Sequence, residues 1–179
     1  MKKNSLSWNR SLIVPALICF ASPAVYAATY FSVGEAQQAI FPGATFTALP
    51  LTLTNAQRSE IKKKSGVPVR VKEIKVWRAS SGGFFIVDEV VGKHEFIVYA
   101  IGINLDGSVK QIEIMDYRES YGYEIRNKDW RKQFVGTTAD APLKLDQDIK
   151  NISGATLSCR HVTDGVKRVL AMYEIVLKL

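Results

Sequence analysis

Beyond residue 27 the spacing of apolar and polar positions divides the chain into segments of two different periods. Ser32 followed by Glu35 forms a capping box, and Val33, Ala36 and Ile40 recur at helical spacing until Pro42-Gly43, which predicts a short helix. Thr54 with Gln57 repeats the capping pattern; Ile61 is the main later apolar residue, Lys62, Lys63 and Lys64 fill the last turn, and Gly66 stops a second short helix. From Val67 the period changes to two. Val67, Val69 and Val71 alternate with Pro68, Arg70 and Lys72, and the phase then slips so that Ile74 and Val76 continue the run, which predicts a strand with a bulge or bend near Glu73. Ser80-Ser81-Gly82-Gly83 reads as a turn, 84–91 and 95–104 as strands, and Asp106-Gly107 as a hairpin signal leading into a strand over 109–115. Strands joined by such short turns must be antiparallel, so the centre is a meander.

A polar, irregular stretch over 116–126 follows, then a short helix from about Asn127 that contains Trp130 and Phe134 and is closed by Gly136. Residues 137–147 read as a loop with Pro142. A last helix over 155–177 carries Val162, Val166, Val169, Leu170 and Tyr173 as one apolar stripe. The expected class is α+β: a central antiparallel sheet packed by helices, with an N-terminal helical segment at 28–66 and the main domain at 67–179.

Composition sharpens this in one place. The chain has 179 residues and a formal charge of +7, with two cysteines and two histidines, too few to supply the paired ligands of a Cys/His zinc site. Lys2, Lys3 and Arg10 precede an apolar stretch that ends at Val25-Tyr26-Ala27-Ala28, the pattern of a secretory signal peptide cleaved after Ala27. Removal of those 27 residues leaves 152 with 21 Lys+Arg against 17 Asp+Glu, a charge of +4. The expected location is therefore the periplasm, and much of the basicity belongs to targeting. Cys19 leaves with the leader, so the exported chain has Cys159 as its single thiol and forms no internal disulfide. Export also removes the chain from nucleic acid, for which it has no basic-aromatic recognition motif.

The run with the most chemistry is Ser153-Gly154-Ala155-Thr156-Leu157-Ser158-Cys159, at the start of the last helix. Small residues let a ligand approach the backbone, the first helical turn leaves N–H groups unpaired, and the helix dipole favours an anion there. Taken alone, the run suits either an ordinary helix cap or a phosphate seat.

Ser-Gly-Ala-Thr closely resembles the flavinylation motif of the FMN-binding domain family, whose members include the FMN-carrying subunits of the sodium-pumping NADH:quinone oxidoreductase and the Rnf electron-transport complex. Three further stretches are similar in order and spacing. Glu119-Ser120-Tyr121-Gly122-Tyr123 stands where the family has a Glu-Thr-Pro-Gly-type loop, Trp130, Gln133-Phe134 and Gly136 stand where it has an aromatic and a Gln-Phe-x-Gly segment, and 102–114 resembles the preceding hairpin. The resemblance covers roughly 77–170. It implies FMN as cofactor, seated at the N-terminus of the C-terminal helix and joined through its phosphate to the Thr156 hydroxyl by a separate flavin transferase. It also implies that Ser153, Gly154, Ala155, Leu157 and Ser158 surround the phosphate, and that Glu119, Tyr121 and Gly122 approach the flavin.

Other candidates are less specific. Trp130, with Trp77, Tyr117, Tyr121, Tyr123 and Phe134, is either a stacking wall for the flavin ring or core material. His94 either hydrogen-bonds on the flavin side or is an ordinary strand-end residue, and Lys93 either steadies negative charge on a reduced flavin or solvates the strand. Cys159 lies on the same helical face as Thr156, whereas His161 lies away from it. The expected function is electron transfer through FMN between membrane or periplasmic redox partner proteins. The alternatives are a flavin-dependent reductase of a small substrate, and a cofactor-free periplasmic binding module that uses the basic face over 62–75.

Overall fold

The computed structural model describes residues 28–178; the expected leader lies outside them. In chain order the elements are β1 (Ala28–Thr29), α1 (Val33–Ile40), β2 (Phe46–Thr52), α2 (Asn55–Ser65), β3 (Glu73–Ala79), β4 (Phe84–Val91), β5 (Phe96–Ile103), β6 (Val109–Tyr117), α3 (Lys128–Arg131) and α4 (Thr156–Met172), which ends in a π turn over Tyr173–Leu177. The class is α+β. Six strands form one antiparallel sheet in the order β1-β6-β5-β4-β3-β2, so β2 to β6 run as a meander and β1 closes the far edge against β6.

Both short helices begin as their capping boxes require. The hydroxyls of Ser32 and Thr54 accept from the N–H groups of Glu35 and Gln57, whose side chains return to the cap N–H groups, and Gly66 ends α2 in the left-handed conformation. Helix α1 covers one face of the sheet through Ala36, Ile40 and Phe41, packed on Phe85, Ala100 and Met115. The opposite face carries the larger core, where Ile86, Ile97, Tyr99, Ile101 and Ile112 meet Ile61 of α2 and Val162, Val166, Val169 and Leu170 of α4. Gly165 allows this close approach, since a Cβ there would lie 2.5 Å from the Tyr99 hydroxyl.

Two expectations are corrected by the backbone. Residues 67–72 are not a strand: regular pairing begins only at Glu73, because Pro68 offers no N–H and the segment is drawn aside by the Leu53 N–H on Lys72 O (2.9 Å) and the Arg58 guanidinium on Val69 O (2.7 Å). The segment 28–66 holds, besides its two helices, the strands at both sheet edges. Strand β2 pairs with β3 from Phe46 opposite Ala79 to Thr52 opposite Glu73. Pro50 offers no N–H to the ladder but is tolerated because β2 is an edge strand. Among the described residues no helix is long and apolar enough to cross a membrane.

Candidate functional site

Helix α4 starts differently from α1 and α2. Its first residue, Thr156, follows Gly154 at φ 82° and Ala155 at φ −119°, and no side chain caps it. The first backbone N–H to find an acceptor is that of Cys159, on Ala155 O (2.9 Å); those of Thr156, Leu157 and Ser158 have none among the described residues. Three free N–H groups at the positive end of a 17-residue helix form an anion seat. Ser153 and Gly154 are exposed beside it, and a Cβ on Gly154 would meet nothing within 4 Å, so this backbone is open to a ligand.

The Thr156 hydroxyl is held in place. Asn151 Nδ2 donates to Thr156 Oγ1 (3.1 Å), and Asn151 Oδ1 accepts from the N–H of Ile152 (2.9 Å), so both ends of the amide are fixed. The chain leading to Asn151 is itself pinned, because Trp130 Nε1 donates to Lys150 O (2.7 Å) and Gln133 Oε1 accepts from the Lys150 N–H (2.8 Å). Trp130 is thus a buried anchor packed edge to face on Phe134, and its ring is enclosed in the core. Trp77 packs on Phe85 at the α1 face of the sheet, away from the α4 start.

Two tethers bring the other segments to this point. Tyr117, at the end of β6, donates its hydroxyl to Tyr121 O and lies 3.2 Å from the buried Ser158 hydroxyl, joining the 119–122 loop to the first turn of α4. Gly122, at φ 89°, fits against Ala155: a Cβ at position 122 would lie 2.6 Å from Ala155 Cβ and 2.7 Å from the Tyr117 hydroxyl. The second tether is Glu119, whose Oε1 accepts from the N–H groups of His94 (2.6 Å) and Glu95 (3.1 Å). Burial raises its pKa, but the N–H groups of His94, Glu95 and Lys93 outweigh that and leave it below the ordinary value of 4.5. Glu119 is therefore an anion committed to the β4–β5 turn, and it presents the exposed Lys93 and His94 side chains beside the loop.

Tyr121 is 80% exposed, and Tyr123 and Leu157 are exposed as well, giving an open apolar rim. Ala155 and Ser158 are buried below it. Cys159 is fully buried, and burial pushes its thiol above the usual value, which disfavours the reactive thiolate. His161 points its Nδ1 to Val91 O, one face away from Thr156. The residues that sequence reasoning did not assign are Asn151, Tyr117 as a tether, and Gln133. The only sequence signal for Asn151 is an amide side chain within reach of Thr156, five residues before it.

Residues 92–171 match the family model of the FMN-binding domain. The match begins at the turn that Glu119 holds and ends near the end of α4, so it contains both tethers, the α3 anchor and the Ser-Gly-Ala-Thr run, and it indicates FMN as the cofactor. It starts 15 residues later than the expected Trp77. No curated protein matches the chain.

Proposed function

From an FMN-binding domain at 92–171, we propose that the exported chain carries FMN joined through its phosphate to Thr156 Oγ1 and relays electrons between periplasmic or membrane redox proteins. The observation that supports this most directly is the uncapped start of α4. The three free N–H groups of Thr156, Leu157 and Ser158 suit a phosphate, and the one hydroxyl of that turn which is both accessible and fixed, by Asn151, belongs to Thr156. Bound FMN supplies one- and two-electron chemistry that no side chain here offers.

The protein's own groups divide the remaining work. Ser153, Gly154 and the α4 N–H groups would hold the phosphate. Asn151 donates to Thr156 Oγ1, leaving the threonine O–H to give up its proton when a flavin transferase would form the ester from an activated flavin diphosphate such as FAD, the Oγ1–P bond replacing the P–O–P bond and the nucleoside monophosphate leaving. The loop at Tyr121 and Gly122 and the turn at Lys93 and His94 flank the seat, and Lys93 would place positive charge where reduction adds negative charge. An open rim at Tyr121, Tyr123 and Leu157 favours exchange with macromolecular partners over turnover of a sequestered substrate.

The test is intact-mass spectrometry with an absorption spectrum, on protein exported from a host that contains a flavin transferase. The expected result is the added mass of one FMN and a flavin spectrum that survives denaturation, both lost in Thr156→Ala. A Thr156→Ala protein that still carries covalent flavin would place the bond elsewhere.

A further inference from the structure

The meander splits at one end. Strands β3 and β4 are paired only as far as Lys75 opposite Val87, although β4 continues to Val91 and stays paired with β5 throughout, while β3 stays with β2 down to Glu73. The 67–72 segment, which would have continued the β3–β4 pairing, crosses the gap as a strap. Between the strap, β4 and α4 lies a cavity of about 460 Å³ walled by Ile74, Ile86, Val90, Val169 and Met172. None of the residues gathered around Thr156 lines it.

Its polar fittings narrow what it can hold. The carbonyls of Glu89 and Val91, which face the split, are taken by side chains of α4: Arg168 Nη2 donates to Glu89 O (3.2 Å), and His161 Nδ1 meets Val91 O. An added peptide strand would need those carbonyls free, which argues against strand addition. Arg168 Nη2 also donates to Asp88 Oδ2 (2.6 Å), which accepts the hydroxyl proton of the fully buried Tyr99 (2.6 Å). The buried charges are therefore paired with each other. Arg70, Lys75, Glu73, Glu89 and Asp164 also line the cavity, so neither sign prevails strongly. An ion entering the apolar interior would lose its hydration where the buried charges are already paired with each other. A neutral molecule loses little, and the N–H groups of Arg168 beyond Nη2 can donate to one oxygen.

We infer that the β3–β4 split is a binding site for a neutral, largely apolar small molecule carrying one hydrogen-bond acceptor. The cavity equals about 15 water volumes, within the range of small-molecule pockets. The walls supply apolar contact, the Asp88–Arg168–Tyr99 group fixes one polar end, and the strap at Val71 closes over the occupant.

The test uses two probes with one skeleton. The full mature chain, prepared without a flavin transferase so that the outcome is independent of flavin attachment, is titrated with neutral N-phenyl-1-naphthylamine and with its sulfonated relative 8-anilino-1-naphthalenesulfonate. The expected result is saturable one-to-one fluorescence enhancement by the neutral probe and at least tenfold weaker binding of the sulfonate. Ile74→Trp, which fills the cavity from β3, lowers the neutral probe's affinity at least tenfold. Val71→Trp fills it from the exposed strap and decides the matter if Ile74→Trp does not unfold cooperatively in urea. Unsaturable binding, equal binding of both probes, or unchanged affinity in a folded Val71→Trp protein overturns the inference.

Discussion

Gly122→Ala tests whether the loop and the α4 start are locked together, and Gly154→Ala supplies its internal control. Both glycines have nearly the same backbone, at φ 89° and φ 82°. An alanine at either position bears the left-handed penalty of about 1–2 kcal/mol. They differ in their surroundings: the new methyl meets nothing within 4 Å at 154, but at 122 it lies 2.6 Å from Ala155 Cβ, 2.7 Å from the Tyr117 hydroxyl and 3.2 Å from Ala155 Cα. Two of those three atoms belong to the body of a buried residue and cannot swing away, so overpacking adds about 1–3 kcal/mol at 122 alone. Part of that cost is strain on the Tyr117 bond to Tyr121 O, itself worth about 1 kcal/mol. The expected loss is about 2–5 kcal/mol for Gly122→Ala against about 1–2 kcal/mol for Gly154→Ala, read from urea midpoints at constant slope. A stability of ordinary size leaves both variants folded. Equal losses, within about 0.5 kcal/mol, would refute the close packing of Gly122 on Ala155.

Asn151→Ala removes the donor to Thr156 Oγ1 and the acceptor for the Ile152 N–H. It is expected to slow flavin attachment several-fold in a timed mass assay while costing only about 1 kcal/mol of stability, and unchanged attachment kinetics would separate Asn151 from the chemistry. Glu119 has a folded pKa below its ordinary value of 4.5, so its contribution to stability is fully present above that value and is lost as pH falls through the lower folded value. Glu119→Gln therefore flattens the acid limb of a pH-dependent unfolding curve below about 4.5 and lowers stability at neutral pH; a limb as steep as the wild type's would show that the carboxylate does not hold the turn.

Elements set by local signals were legible in the sequence. The capping boxes at Ser32 and Thr54 and the turn at Asp106-Gly107 lie within a few residues of what they determine, and all three stand as read. What was missed depends on distant partners. Strand β2 hides because Pro50, with no backbone N–H, reads as a strand breaker, and only its place at the sheet edge makes that proline harmless. The Val67-Val69-Val71 run has the right period for a strand, but Leu53 and Arg58 hold it off β4. At the site, Thr156 and Gly122 were visible as motif positions. Glu119 was visible as a residue but not for what it does, since its partners are backbone N–H groups 24 and 25 residues earlier, and a backbone donor leaves no mark in sequence.

The placement of the tethers explains why the first half of the chain matters to a domain whose family match begins at 92. The turn that Glu119 grips is the β4–β5 turn, and its position is set by eight pairs from Phe84 opposite Ile103 to Val91 opposite Phe96. Strand β4 is in turn held by β3 over Lys75 to Arg78, and β3 by β2 along its whole length. The side chains of β4 face both layers, Phe85 and Val87 toward α1, Ile86 and Val90 toward α4. A chain cut at residue 92 would leave the backbone of β5 as an open edge and uncover Tyr99 and Ile101, both fully buried. It would also remove Asp88, leaving the mostly buried Arg168 of α4 without its carboxylate partner. Helix α4 is thus held at two places: its start by the 119–122 loop through Tyr117 and Gly122, and its body by β4, whose free end carries the Arg168 and His161 contacts. The residues gathered around Thr156 lie within 92–171, but their fixed geometry depends on strands that precede them.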